Sequence, residues 1–421
     1  MELIFLNEWW ESSGISKEKA LPYKRKIFES VKKTFFNYRQ ILLLNGLRRT
    51  GKTTIIYQLI EELLKKVNPK NILYFSFDEA IEEPTKILEE YSKITKVDWR
   101  KEKCFVFFDE IQKLKNWSSK IKLLYDNFPN LKICISGSAS VALEQAAIKD
   151  LAGRYFSHYI SPLTLHEFAE LYLGKPIENF ELYELELKRI FDDYIRKPFP
   201  EIVRWGDRTK ANQYIRELVI EKIIKTDIPG TFEHVNISLL STLKDIFMKD
   251  VGMILDVTAL SKELGVHKLT LTQHINFLEF GNLITVVRNF RPSIRAESRK
   301  LKKIYPANIA LSLCFYPKLG EGKIFENLVC SALCLNKYWR AGEKEIDFLK
   351  IDEKILPIEV KEKDEIKKQD IKTLLYFMKK FKIKEGIVVY SGKEQTLSID
   401  KLKIKLMPIH KLLFEFSLEF S

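Results

Sequence analysis

The first 140 residues alternate short apolar segments with longer stretches whose apolar positions recur at helical spacing. The segments are Ile41 to Leu44, Ile72 to Phe77, Cys104 to Phe108 and Leu131 to Ser136. After the first of them, Ile55, Ile56, Leu59, Ile60, Leu63 and Leu64 fall on one helix face. A strand apolar on both faces belongs in a sheet covered on both sides, which is the habit of parallel sheets. Strands alternating with helices therefore predict an α/β domain whose site lies at the strands' carboxyl ends.

The pattern changes twice more. From about residue 236, Asp256 to Val266 reads as a short capped helix closed by Gly265, and the next helix carries Leu271, Ile275 and Leu278 on one face. A β-rich stretch, Asn282 to Phe290, follows. Helix, tight turn, helix and strand is the order of a winged helix. From Tyr305 onward the pattern predicts a helix over 322–330, strands near 337–340, 345–349 and 355–361, a helix bearing Ile371, Leu374, Leu375 and Phe377, and an apolar strand at 386–390. These elements form a second small α/β unit.

Chemistry enters at the ends of the apolar runs. Gly46 to Thr53, GLRRTGKT, fits GxxxxGK[ST] without a mismatch and lies between a strand and a helix. Its glycines let backbone amides face a polyphosphate, Lys52 reaches the β and γ phosphates, and the Thr53 hydroxyl is a ligand for Mg²⁺. Asp109 and Glu110 close the third run: Asp109 holds Mg²⁺ through water, and Glu110 is the base that polarises an attacking water. Ser138, just past the fourth run, is the polar sensor of the γ-phosphate. Arg48 and Arg49 admit two readings, ion pairs with carboxylates of their own domain or contact with nucleotide or partner.

The combination NGLRRTGKTT, FFDEIQKL, ISGSAS and AGRYFSHYISPLTLHEF resembles a group of archaeal and bacterial AAA+-type P-loop ATPases with a GxRRxGKT loop. The resemblance spans roughly residues 23 to 230. It implies ATP and Mg²⁺ as cofactors, and a role for Arg154 in contacting nucleotide or a neighbouring subunit. The nucleotide-binding set is then Gly46, Arg48, Arg49, Thr50, Gly51, Lys52, Thr53, Thr54, Asp109, Ser138 and Arg154. Relatives show a Gly-Gly-aromatic-Pro sequence in a helical lid. Here the sequence is Arg196-Lys197-Pro198-Phe199-Pro200, so a glycine hinge does not carry over. AAA+ relatives often form rings, and a homo-oligomer is an expectation from the resemblance alone.

In the C-terminal unit, Asp347 and the Glu359-x-Lys361 pair come from neighbouring strands joined by a turn near Asp352 and Glu353. Two carboxylates meeting there suit Mg²⁺ or Mn²⁺, with Lys361 orienting water or stabilising charge on a phosphate. This resembles the PD-(D/E)xK nuclease superfamily over residues 305 to 395, with Glu326 as the helix acid. The expected fold class is thus α/β: a P-loop parallel sheet in 1–160, a helical lid in 161–235, a winged helix in 236–304, and a restriction-endonuclease-like domain in 305–421.

Composition sharpens the partner. The chain has 421 residues and a net charge of +13, which favours a polyanion such as DNA. A Lys- and Glu-rich composition also marks heat-adapted proteins, so part of the excess is solvated surface. On the second helix of the winged unit, Lys268, Thr270, Thr272, Gln273 and Asn276 face outward, types that meet phosphates and base edges. A dense basic run follows: Arg291, Arg295, Arg299, Lys300, Lys302 and Lys303. Cys104, Cys134, Cys314, Cys330 and Cys334 form no CxxC pair and read as buried free thiols of a reducing compartment. No apolar run reaches the ~18 residues of a membrane span, and the N-terminus is acidic, so a cytoplasmic protein with no membrane partner is expected. The leading expectation is an ATPase acting on DNA through a metal-dependent nuclease. The alternative is an ATP-gated signalling or protein-binding switch with an inert C-terminal domain.

Overall fold

The computed structural model describes residues 3–138, 149–291 and 301–419. Among them the strands form three five-stranded sheets. In the first, β1 (Ile41–Asn45), β2 (Ile72–Ser76), β3 (Cys104–Asp109), β4 (Leu131–Gly137) and β5 (Tyr155–Tyr159) run parallel in the order β2-β3-β4-β1-β5. The strands β1 to β4 are buried along their whole length, as their unbroken apolarity requires, whereas the edge strand β5 is largely exposed. Insertion of β4 between β1 and β3 sets Ser136 and Ser138 between the phosphate loop and the two acids.

The helices Leu165–Leu173 and Phe180–Arg196 follow, the first opened by a capping box between Thr164 and Glu167. From Ile215 to Glu221 and again from Ile223 to Asp227 the chain is wound as π-helix, a winding rare in long stretches. Leu47 of the phosphate loop is buried in the same cluster as Phe199, Ile202, Tyr214 and Ile215, so the loop is packed directly against this segment.

The second sheet joins two regions of the sequence. The helix Ile237–Lys249 leads into β6 (Met253–Leu255), the helices Val257–Glu263 and Lys268–Phe280, then β7 (Ile284–Asn289) and β8 (Lys302–Pro306), with β8 antiparallel to both β6 and β7. β9 (Lys337–Ala341) then adds parallel to β7, and β10 (Lys344–Ile346) adds to β9. A division at 304/305 therefore falls inside a strand of a continuous sheet, in the order β10-β9-β7-β8-β6.

The third sheet has the order β11-β12-β13-β15-β14, with β11 (Phe348–Ile351), β12 (Ile355–Val360), β13 (Glu385–Tyr390), β14 (Gln395–Ile399) and β15 (Leu402–Pro408). The expected strand over 345–349 is broken at Asp347, where the chain leaves the second sheet for the third. β14, β15 and the helix Ile409–Glu419 lie beyond the predicted elements. That helix packs on the pair 165–196, with the His166 ring stacked on Phe414 at a centroid distance of 4.3 Å. Four of the cysteines are buried as expected, but Cys334, on the turn after the helix Glu321–Ala332, is exposed. Among the described residues no helix is long and apolar enough to cross a membrane.

Candidate functional site

The phosphate loop is built by backbone geometry that few residues tolerate. Gly46 has φ +143°, and a Cβ there would sit 2.2 Å from the Ile160 carbonyl oxygen, so only glycine fits. Gly51 (φ 92°) and Arg49 (φ 65°) are also left-handed. The helix Lys52–Leu64 starts directly after Gly51 and places Thr53 and Thr54 in its first turn. The Lys52 ammonium is buried and donates to the carbonyls of Gly46 (3.0 Å) and Leu47 (2.8 Å), while the Thr50 hydroxyl donates to Leu47 at 2.9 Å. Burial lowers the pKa of Lys52, against the pull of Glu110 and Asp109.

Asp109 is buried and fully occupied. Its Oδ2 accepts from the Thr53 hydroxyl at 2.7 Å and the Tyr74 phenol at 3.1 Å, and its Oδ1 from the Glu110 amide at 3.0 Å and the Ser136 hydroxyl. Burial and the Asp109 charge push the Tyr74 phenol up, so it remains a donor. A hydroxyl beside a carboxylate is an oxygen donor set that fits Mg²⁺, so Thr53 and Asp109 would hold the ion accompanying ATP. Glu110 has φ 53° and accepts from Gln112 and from Ser138 at 3.3 Å. Burial and Asp109 push its carboxyl up, opposed by Lys52 and Arg48.

Both loop arginines end on carboxylates of the following segment. Arg48 makes a two-pronged pair with Asp227, Nε to Oδ2 at 2.5 Å and Nη2 to Oδ1 at 2.6 Å, and Arg49 reaches the exposed Glu201 at 3.0 Å. Of the two readings left open by the sequence, this conformation adopts the ion pairs. Ser138 also donates to Asp227 at 3.3 Å, which links Glu110, Ser138, Asp227 and Arg48 in one network.

Arg154 requires a correction. It precedes β5, whose Tyr155 is opposite Ile41 at the start of β1, so it lies at the end of the sheet away from the phosphate loop. Its guanidinium pairs with Asp126 at 2.7 and 3.1 Å and does not contribute to the nucleotide site of its own chain. Sequence reasoning missed Arg25. This buried residue donates to Glu167 from Nε and Nη2, both at 2.8 Å, and to the Thr50 carbonyl at 2.8 Å, bracing the end of the loop. The available signal was Glu167 itself, the acid of the PLTLHEF segment.

Residues 38–169, which hold all of this machinery, match a family model described as an AAA domain. The phosphate loop belongs to an AAA-type P-loop ATPase domain. Residues 188–318 and 321–412 match two further families, described as domains of unknown function DUF8612 and DUF4143. The uncharacterized protein MJ1637 of Methanocaldococcus jannaschii is 27% identical over 392 residues, 83% of this chain and 80% of that protein. A second uncharacterized protein of that organism, MJ1544, is 27% identical over 69% of this chain and 65% of its own length. Among solved structures, the Walker-type ATPase paby2304 of Pyrococcus abyssi aligns at 16% identity with a TM-score of 0.44, over 68% of this chain and 93% of that one.

Beyond the AAA domain, the C-terminal acids meet as the strand pairing dictates. β11 is antiparallel to β12 with Phe348 opposite Ile358, and one residue further sets Asp347 across from Glu359. Asp347 Oδ2 accepts from the Val360 amide at 2.8 Å, and Lys361 Nζ lies 2.8 Å from Glu359 Oε2 and 4.0 Å from Asp347 Oδ2. Burial first, then the Asp347 charge, push the Glu359 carboxyl well above the ordinary glutamate value, against Lys361. The helix acid is directed elsewhere: Glu326 Oε2 accepts from the Tyr305 phenol at 2.7 Å. Among the described residues no three acidic, histidine or cysteine side chains are arranged to hold a metal ion. The expected Mg²⁺ or Mn²⁺ at Asp347 and Glu359 therefore does not fit this arrangement, because Lys361 and Tyr305 occupy the carboxylate oxygens.

The expected DNA face is partly displaced. Lys268, Gln273 and Asn276 are exposed, but Thr272 donates to the Lys268 carbonyl and Thr270 is half-buried. Arg291 turns to the Arg340 carbonyl, and Lys303 is buried against Glu345. Strand alternation is the reason for Lys303, which lies on the covered face of β8 with Tyr305. Arg295, Arg299 and Lys300 lie outside the described residues.

Proposed function

We propose that this chain is an ATP hydrolase that uses nucleotide binding and turnover to rearrange a DNA-binding winged helix and a nuclease-like C-terminal domain. The observation that carries the reading is the meeting of three groups on Asp227. Arg48 from the phosphate loop and Ser138, which also holds Glu110, both bond this residue at the end of the π-helical run. A γ-phosphate drawing Arg48 and Ser138 toward itself would release Asp227, and Leu47 would transmit loop movement into the same packed cluster. Lys52 and Arg48 neutralise phosphate charge, Thr53 and Asp109 hold Mg²⁺, and Glu110 accepts the proton of the attacking water.

Support for the winged helix is its element order, with β8 antiparallel to both β6 and β7 after three helices, and the outward Lys268, Gln273 and Asn276. The test is ATPase activity of the full chain with duplex and single-stranded DNA. The expected result is stimulation that weakens steeply between about 50 and 200 mM salt. Turnover indifferent to every DNA would reject action on DNA. A second reading, an ATP-gated protein-binding switch with an inert C-terminal domain, is favoured by the inward turn of Arg291 and Lys303. Incubation with DNA and Mn²⁺, with Asp347→Ala as control, separates the two: cleavage lost in the variant supports the first, and no binding or cleavage supports the second.

A further inference from the structure

The acidic centre of the C-terminal domain is completed from outside that domain. Lys303 and Tyr305 stand two residues apart on β8, the strand that pairs with β6 and β7, and so share one face. The Lys303 ammonium is 5% exposed, lies 2.5 Å from Glu345 Oε1 and sits 5.3 Å from the centroid of the Tyr338 ring. Tyr305 is completely buried and its phenol holds Glu326. Burial alone would strip the Lys303 proton, but Asp347 first, then Glu345 and Glu326, keep the ammonium charged. A compact cation thus stands among the same carboxylates that a divalent ion would need, and the helix acid is turned to a phenol.

We propose that Lys303 and Tyr305 are positioning residues that close the C-terminal acidic centre to metal, an internal ammonium taking the place of a divalent cation. Metal binding at Asp347 and Glu359 then requires β8 to shift, which makes access to the centre depend on the neighbouring domain. The proposal rests on the reading of Asp347 and Glu359 as metal ligands in an active state. Its chemistry is charge balance: three to four buried carboxylates need positive charge, and an ammonium already in place competes with an incoming ion.

The experiment is Mn²⁺ titration of the nucleotide-free full-length protein, read by the electron paramagnetic resonance of free Mn²⁺, with Asp347→Asn to identify binding at this centre. Tyr305→Phe removes one oxygen and leaves the ring packing intact. It should tighten Asp347-dependent Mn²⁺ binding about tenfold, the worth of one hydrogen bond to a charged group. The gain should disappear when Glu326→Gln is added. Lys303→Met should tighten binding by at least as much, and Tyr305→Phe serves alone if that variant does not fold. A purely structural role for these side chains predicts no gain in affinity. If Asp347-dependent binding is present but equal or weaker in both variants, the closure is wrong and the metal centre stands. If no variant shows Asp347-dependent binding, the centre is not a metal site and both ideas fall.

Discussion

The chain contains two buried carboxylate pairs, each beside a lysine, and they are assembled in opposite ways. Asp109 and Glu110 are neighbours at the end of one strand, and their lysine comes from the following loop of the same domain. Asp347 and Glu359 come from two strands, and their surroundings include Lys303 and Tyr305 from an earlier one. In the first centre every donor is directed so that a nucleotide and its ion can replace internal bonds. In the second, internal cations and a phenol already satisfy the acids. Similar residue types thus yield an open site or a closed one according to where the compensating charge originates.

The sharpest division between the centres comes from Glu110→Gln. Turnover should fall about 10²- to 10⁴-fold, the usual contribution of a general base, with nucleotide binding retained. Rapid hydrolysis by this variant, measured by phosphate release, would show that another group is the base. Next in size is Arg25→Met, which leaves Glu167 buried without its partner and should cost about 3–5 kcal/mol in chemical denaturation. Burial raises the Glu167 carboxyl, but Arg25 and the amides of Thr164 and Lys26 outweigh it, and the net shift is below the ordinary 4.5. A lowered folded value means that the pair stabilises above pH 4.5 and fades as pH falls through the folded value. The gap between wild type and variant should therefore narrow below pH 4.5, and a gap that widened there would contradict the pairing. Smallest is Asp227→Asn, which frees Arg48 for phosphate and should tighten ATP binding about tenfold, or about 1.4 kcal/mol. Weaker binding in a fluorescent-nucleotide titration would make Asp227 a support of the site and not a competitor.

Much of this was legible in the sequence where function and local order coincide. Gly46 to Thr53 and Asp109-Glu110 carry their chemistry in consecutive residues, and the strand–loop–helix context is set by the same residues. Asp347 facing Glu359 was also readable, because strand period and one turn fix it. What escaped depends on contacts distant in sequence. Arg25 meets Glu167 across 142 residues, and Arg48 meets Asp227 across 179. The basic run misled at Lys303, since local charge density does not reveal which face of a strand is covered. Arg154 misled because a Gly-Arg motif does not say at which end of a parallel strand it falls.

The second sheet also bears on how such a protein is inherited. The two family matches divide the chain between residues 318 and 321, yet β9 and β10 from the later stretch complete a sheet begun by β6, β7 and β8 in the earlier one. A recombination event at that seam would leave each half with a bare strand edge, a template for pairing with foreign chains. The two modules can change partners only together, and their evolutionary unit is larger than either family drawn on the sequence.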